Sequence, residues 1–188
     1  MLVLASQSPR RREILSNAGF TFEVRPANVE EFPLAAEDPA GYVLRLARDK
    51  AAAAGAGPDD YVLAADTTVA AAGHILEKPH SVVDAARMLR LLSGRTHQVL
   101  TGVCLRHQGR EWFDVSSTQV RFVTLSEDEI LAYASSGEPM DKAGAYAIQG
   151  LASKFVDRIE GCYFNVVGLP VSLVYRFLKD AGYPFPSH

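Results

Sequence analysis

Met1-Leu2-Val3-Leu4-Ala5-Ser6-Gln7-Ser8-Pro9-Arg10-Arg11-Arg12 is an apolar run handed directly to a helix start. Residues 2–5 read as a short buried strand. Ser8 has the character of an N-cap and Pro9 that of a first helical residue, where its missing N–H costs nothing. The helix from Arg10 to Ala18 is then stopped by Gly19, which tolerates a left-handed backbone. A strand that passes straight into a helix is the unit from which α/β proteins are assembled.

The same alternation continues outward from this stretch. A second strand is expected over Phe20 to Arg25. Asp38 and Pro39 open a helix running to about Ala54. Tyr61 to Ala65 form a buried strand ending at Asp66, with Thr67 to Ala71 as a possible continuation, a turn near Gly73 and a return through Ile75. Ser81 caps a helix that ends at Ser93-Gly94. Thr96 to Arg106 and Trp112 to Val123 alternate as two long strands about a turn at Gln108-Gly109. Ser126 and Glu129 make a capping box for a short helix ending at Gly137. Phe155 to Ile159 and Tyr163 to Val167 read as a final strand pair. Pro170 begins the last helix, which ends near Ala181-Gly182. The expected order is β-α-β-α-β-β-α-β-β-α-β-β-α, without internal repeats.

Composition narrows the function classes. The 19 Lys and Arg against 22 Asp and Glu leave a formal charge of −3. A protein that tracks a phosphate backbone carries a basic excess, so no nucleic-acid partner is expected. No apolar run approaches the ~20 residues of a membrane span, and no basic n-region precedes the first strand, so neither a membrane nor a signal peptide is expected. Cys104 and Cys162 lie far apart without CxxC spacing. A zinc site or disulfide framework is not expected, and a reducing cytoplasm is the default setting. His74, His80, His97, His107 and His188 show no ligand spacing and read as surface or strand residues.

Five places carry potential chemistry. At the first helix, free amides and the helix dipole attract anions, and arginine forks suit phosphate oxygens. Arg10 and Arg11 oppose the dipole unless an anion neutralises them; the alternative is a solvated basic helix end. On the second helix, Val43 and Leu46 define an apolar stripe that Lys50 continues at i+7. Lys50 either snorkels past the helix end or reaches into a polar site. Arg45, Arg48 and Asp49 fall off the stripe and can be solvated. Asp66, after a buried strand, can bind Mg²⁺ or take a proton from water, or simply cap the strand. Glu77-Lys78-Pro79 sets an acid and a base in a loop, a pattern that alone also describes a surface ion pair. Finally, the irregular segment from Gly137 to Gly150 reads as a functional loop or a packed connector. Within it Gln149 offers both a donor and an acceptor, or serves as a backbone-bonded loop amide.

Taken together these pieces resemble the Maf family of nucleoside triphosphate pyrophosphatases. The matching stretches are SQSPRR at 6–11, NVEE ending at Glu31, LARDKA at 46–51, AADTTV at 64–69, EKP at 77–79, LSGRTHQVLTGV at 92–103, SGEPMDKAGAYAIQG at 136–150 and NVVGLP at 165–170. NVEE replaces a more usual acidic pair ending in DE and keeps Glu31. The resemblance implies one α/β (α+β) domain over residues 1–188, with a curved mixed sheet flanked by helices. It further implies two lobes around a central cleft, similar to inosine triphosphatase. It implies hydrolysis of a nucleoside triphosphate to the monophosphate and pyrophosphate with a divalent metal, Mg²⁺ or Mn²⁺, and a role in clearing non-standard nucleotides. A homodimer is compatible with it.

Arg10, Thr67 and Gln149 resemble the signature of the branch acting on dTTP and UTP. In that comparison Ser8, Arg10, Arg11, Lys50 and Lys78 hold the triphosphate, and Glu31, Asp66 and Glu77 hold the metal. Asp66 orients or deprotonates water, and Gln149 reads the base. The resemblance also allows a different class, a nucleotide-binding regulator of cell division (septum inhibition) with little turnover.

Overall fold

A computed structural model describes residues 1–185, so His188 lies outside the described residues. Its strands are β1 (Leu2–Leu4), β2 (Glu23–Val24), β3 (Tyr61–Ala71), β4 (His74–Leu76), β5 (Thr96–His107), β6 (Arg110–Phe122) and β7 (Val156–Glu160). Its α-helices are α1 (Pro9–Asn17), α2 (Pro39–Ala53), α3 (Val82–Leu92), α4 (Glu127–Ala134), α5 (Tyr163–Val167) and α6 (Val171–Asp180). The strands form an open sheet in the order β2-β1-β3-β5-β6-β7, with β4 paired to β3. β1 runs parallel to β2 and β3, whereas β3–β4 and β6–β7 are antiparallel, so the sheet is mixed. Among the described residues no helix is long and apolar enough to cross a membrane.

The chain forms two compact units, neither continuous in sequence. The first comprises Met1–Asp66, Thr101–Ser116 and the segment from Gly168. The second comprises Thr67–Leu100 and Ser117–Val167.

In the first unit β1 is wholly buried between two parallel neighbours, which is why its sequence shows no polar alternation. Leu2, Val3 and Leu4 face Tyr61, Val62 and Leu63 across the ladder. Helix α2 packs through small side chains: Ala47, Ala51 and Ala54 meet Ala5, Val62, Ala64 and Cys104 in one apolar cluster. The approach is close enough that a Cβ on Gly102 would lie 2.3 Å from the Val43 carbonyl oxygen. Any larger residue there must push the helix off β5.

The second unit is built on an aromatic core. The His97 ring stands edge-on to Phe122 and Tyr146, and Phe155 packs against Phe122 and Tyr133. Helix α3 turns Ala85, Ala86, Met88, Leu89 and Leu92 inward and packs against α4. The Ser126–Glu129 capping box forms as its spacing predicts.

β3 runs unbroken from Tyr61 to Ala71, so Thr67–Ala71 continue the strand past Asp66. Two sequence expectations differ from the structure. Only Glu23–Val24 of the expected Phe20–Arg25 strand pairs, because the Phe20 amide is spent on the Leu15 carbonyl at the end of α1. Tyr163–Val167 is a helix, not a strand. Its aromatic and β-branched residues favour a strand locally, but tertiary bonds override that preference. Asn165 is fully buried, and its Nδ2 donates to the Val99 carbonyl and to Thr118 Oγ1, both at 2.9 Å. Thr118 Oγ1 in turn donates to the Cys162 carbonyl and accepts from the Cys162 amide.

Burial of His97 has a consequence in pH. Its Nε2 lies 2.8 Å from Tyr146 Oη, and burial pushes the imidazole pKa down to about 4. The unfolded chain protonates this group near the ordinary value of about 6.5. Between these two values the unfolded state therefore binds the extra proton, and stability falls as pH falls. We expect a loss of up to about 3 kcal/mol between pH 7 and pH 4 from this group alone. Urea denaturation of the wild type and of His97→Gln across that range measures it. If both lose stability in parallel, His97 is not the group responsible.

Candidate active site

The expected site residues divide between the two units. Ser8, Arg10, Arg11, Glu31, Lys50 and Asp66 belong to the first, and Thr67, Glu77, Lys78 and Gln149 to the second.

In the first unit the decisive residue is Lys50. Its place on the inner stripe of α2 is real: Tyr42, Val43, Leu46, Ala47, Lys50 and Ala51 are all buried. A lysine this deep, 7% exposed, needs partners, and it has two. Lys50 Nζ lies 2.7 Å from Asp66 Oδ1 and 2.8 Å from Glu31 Oε1. It does not snorkel. Asp66 is equally buried on β3, whereas Glu31 is more open, its side chain 44% exposed. An ammonium has three donors, and these contacts use two.

The segment carrying Glu31 lacks regular structure and is held by side chains. Arg45 pairs with Glu37 at 2.7 Å and donates from Nη2 to the carbonyl of Phe32, the residue after Glu31. Glu37 also accepts from the Leu34 amide, and Arg45 holds its carboxyl below the usual range. Sequence reasoning placed Arg45 in solvent, and nothing in the spacing identifies it as the anchor of this loop.

Helix α1 begins as its sequence predicts, with Ser8 as N-cap and Pro9 in the first turn. The three arginines then part. Arg12 is exposed, Arg10 is half-buried and Arg11 is buried. Arg11 Nε donates to the Gly168 carbonyl at 2.8 Å, and its Nη1 donates to the Ala65 carbonyl at 2.7 Å and to Ser6 Oγ at 3.1 Å. Burial pulls its pKa below the ordinary value, with Asp66 opposing that pull. Arg11 thus fastens the start of α1 to β3 one residue before Asp66.

The two carboxylates converge on one point, where Lys50 Nζ stands. Hard oxygen donors of this kind suit Mg²⁺ or Mn²⁺. Among the described residues no three His, Cys, Asp or Glu side chains gather to hold an ion by themselves. A metal here would complete its shell with phosphate and water, the usual manner for Mg²⁺.

In the second unit Thr67 is half-buried on β3. Glu77 is half-buried after β4, and its carbonyl accepts from the Gly144 amide at 3.1 Å. Lys78 is exposed. The Gly137–Gly150 segment is a packed connector built of 3₁₀ turns at Glu138–Asp141 and Ala143–Ala145. Gln149 is exposed at its end. No hydrogen bond to its side chain occurs among the described residues, so it is not a backbone-bonded loop amide.

A family model described as Maf-like protein matches residues 1–181. The chain belongs to the Maf family. Its similarity extends to a dTTP/UTP pyrophosphatase of Koribacter versatilis, 54% identical over 182 residues, 96% of this chain and 94% of that one. A dTTP/UTP pyrophosphatase of Vibrio cholerae is 55% identical over 182 residues, covering 94% of this chain and 97% of its own. One from Thermococcus onnurineus is 50% identical over 183 residues, 97% of this chain and 98% of its own. Among solved structures, a HAM1 protein from Coxiella burnetii aligns over 97% of this chain and 98% of its own. That match has 14% identity and a TM-score of 0.48, too distant to carry a functional argument.

The Lys50 contacts generate a stability prediction for this Maf protein. Lys50→Met keeps the aliphatic stem and leaves the buried Asp66 carboxylate without the ammonium beside it. We expect a loss of about 3 kcal/mol, the scale for breaking a buried pair from one side. Adding Asp66→Asn should restore part of it, because the carboxylate left without its ammonium is then neutral, while buried Arg11 loses a charge that favours its protonated form. Equal urea midpoints for Lys50→Met and the wild type would show that Lys50 carries no such burden.

Proposed function

We propose that this Maf protein hydrolyses dTTP and UTP to the monophosphate and pyrophosphate. The observation that carries the reading is Lys50 buried between Asp66 and Glu31, in a chain about half identical over nearly its whole length to proteins named for that reaction. The reading as a regulator of cell division with little turnover is not favoured, since the relatives about half identical to this chain are named for the pyrophosphatase reaction.

Asp66 is the acid–base residue. Its Oδ1 is bonded to Lys50, which leaves Oδ2 to accept the proton from the attacking water. The water oxygen bonds to the α-phosphorus, the bond from that phosphorus to its bridging oxygen breaks, and pyrophosphate leaves. Lys50 keeps both carboxylates oriented, and its third N–H is available to a phosphate oxygen. Arg10 on the first turn of α1 grips the triphosphate. Arg11 contributes chiefly by holding α1 and β3 in place. Glu31 and Asp66 would hold a divalent cation, which would supply neutralisation of phosphate charge.

Gln149 reads the base, and Thr67 belongs to the same specificity set. The Gln149 carbonyl accepts from N3–H of uracil or thymine while its amide donates to a ring carbonyl. Cytosine lacks that N3–H, so a Gln149 carbonyl held in this orientation loses its donor. Recognition through the imide edge also admits modified uracil and thymine nucleotides, and clearing these is the role we assign.

The test is a nucleotide panel with and without Mg²⁺ or Mn²⁺, identifying both products. dTTP and UTP should give monophosphate and pyrophosphate only with the metal present. Asp66→Asn should lower turnover by at least ~100-fold, the scale for losing an acid–base group. Nucleoside diphosphate and inorganic phosphate as the main products would overturn the proposal.

A further inference from the structure

Glu138 lies in the second unit at the start of a 3₁₀ turn, eleven positions before Gln149. Its carboxylate is half-buried and has two donors aimed at it. Tyr133 Oη donates to Oε1 at 2.7 Å, and the Leu151 amide donates to Oε2 at 3.0 Å. Tyr133 Oη itself accepts from the Ala147 amide at 3.2 Å. Ala147 lies two residues before Gln149 and Leu151 two residues after it. Both flanks of Gln149 are therefore tied to one carboxylate, one directly and one through a phenol.

The surroundings make this a clamp. Tyr133 is 4% exposed and packs edge-on against Phe155, so its hydroxyl has a fixed position. Burial and the neighbouring Glu138 push its pKa up, which keeps it a proton donor. A Cβ on Gly150 would sit 2.2 Å from Glu138 Oε2, so only glycine lets the carboxylate lie against the backbone beside Gln149. The Glu138 main chain is held too: its carbonyl accepts from Lys142 Nζ at 2.8 Å.

We propose that Glu138, directly and through Tyr133, positions Gln149 and thereby sets the preference for uracil and thymine over cytosine. The proposal rests on the reading that Gln149 meets the base. Glu138 and Tyr133 are positioning residues and touch no substrate. An exposed glutamine on an untethered loop samples many orientations, and each must be frozen out when the base binds. The clamp meets part of that entropy cost during folding, so the discrimination appears in substrate binding.

The experiment measures kcat and KM for UTP and CTP with Mg²⁺ on the full chain. The variants are Glu138→Gln, Tyr133→Phe, Gln149→Ala and the double variant Glu138→Gln/Gln149→Ala, with thermal melting as the check on folding. A glutamine at 138 offers one carbonyl to two donors and turns an N–H toward the other. Glu138→Gln should raise KM for UTP about tenfold, the upper end for one lost hydrogen bond, with a smaller change in kcat. The UTP-to-CTP ratio of kcat/KM should fall with it, and Tyr133→Phe should lower it in the same direction. In the double variant the ratio should equal that of Gln149→Ala alone, because the clamp then has nothing to position. If Gln149→Ala lowers the ratio and neither Glu138→Gln nor Tyr133→Phe does, the clamp is structural and the proposal fails. Additive effects in the double variant overturn it as well. If Gln149→Ala leaves the ratio unchanged, base reading by Gln149 fails and the proposal falls with it. Should Glu138→Gln not fold, Tyr133→Phe, which deletes one oxygen, decides the matter by the same ratio.

Discussion

A lysine ammonium buried between two carboxylates is the constraint around which the first unit is arranged. Removing such a charge from water costs several kcal/mol after relaxation, and only close partners offset it. Lys50 meets Asp66 at 2.7 Å and Glu31 at 2.8 Å, so it has them. Reaching Asp66 requires α2 to lie close on the sheet. The alanines of α2 and the bare Cα of Gly102 permit that approach. The small residues of this helix are therefore part of the chemistry, because a bulkier face would lift the ammonium away from β3.

Charged and polar side chains of the two units fall into two physical kinds. Arg11 and Glu138 spend their charge on the protein. One ties α1 to β3 through carbonyl groups, and the other ties both flanks of Gln149 to a single carboxylate. Lys78 and Gln149 turn outward, where a ligand can use them. A site that must grip a flexible, highly charged molecule benefits from this division, since groups ordered during folding are not ordered again at binding.

Elements whose signal is local were legible in the chain. The Ser8–Pro9 start of α1, the Asp38 and Ser81 caps and the Ser126–Glu129 box each rest on bonds within four residues, and all appear as their spacing predicts. The inward face of α2 was equally legible, because helical period alone puts Lys50 in line with Val43 and Leu46. What period could not reveal was whether that lysine snorkels or pairs, because its partners lie on β3 and in an irregular loop.

The sequence by itself determined the alternation of strands and helices, the caps and the membership in the Maf family, since each is written in residues adjacent along the chain or in an ordered set of short motifs. Tertiary structure alone decided the rest. Tyr163–Val167 became a helix because Asn165 is drawn to Val99 and Thr118, against the local preference of its aromatic and β-branched neighbours. Arg11 became a tether because carbonyls of Ala65 and Gly168 lie beside its guanidinium. Arg45 became a loop anchor, and Glu138 a clamp, for the same reason. The partner of a charged side chain is set by where the fold delivers the other group, and that distance is not encoded in any local window of sequence.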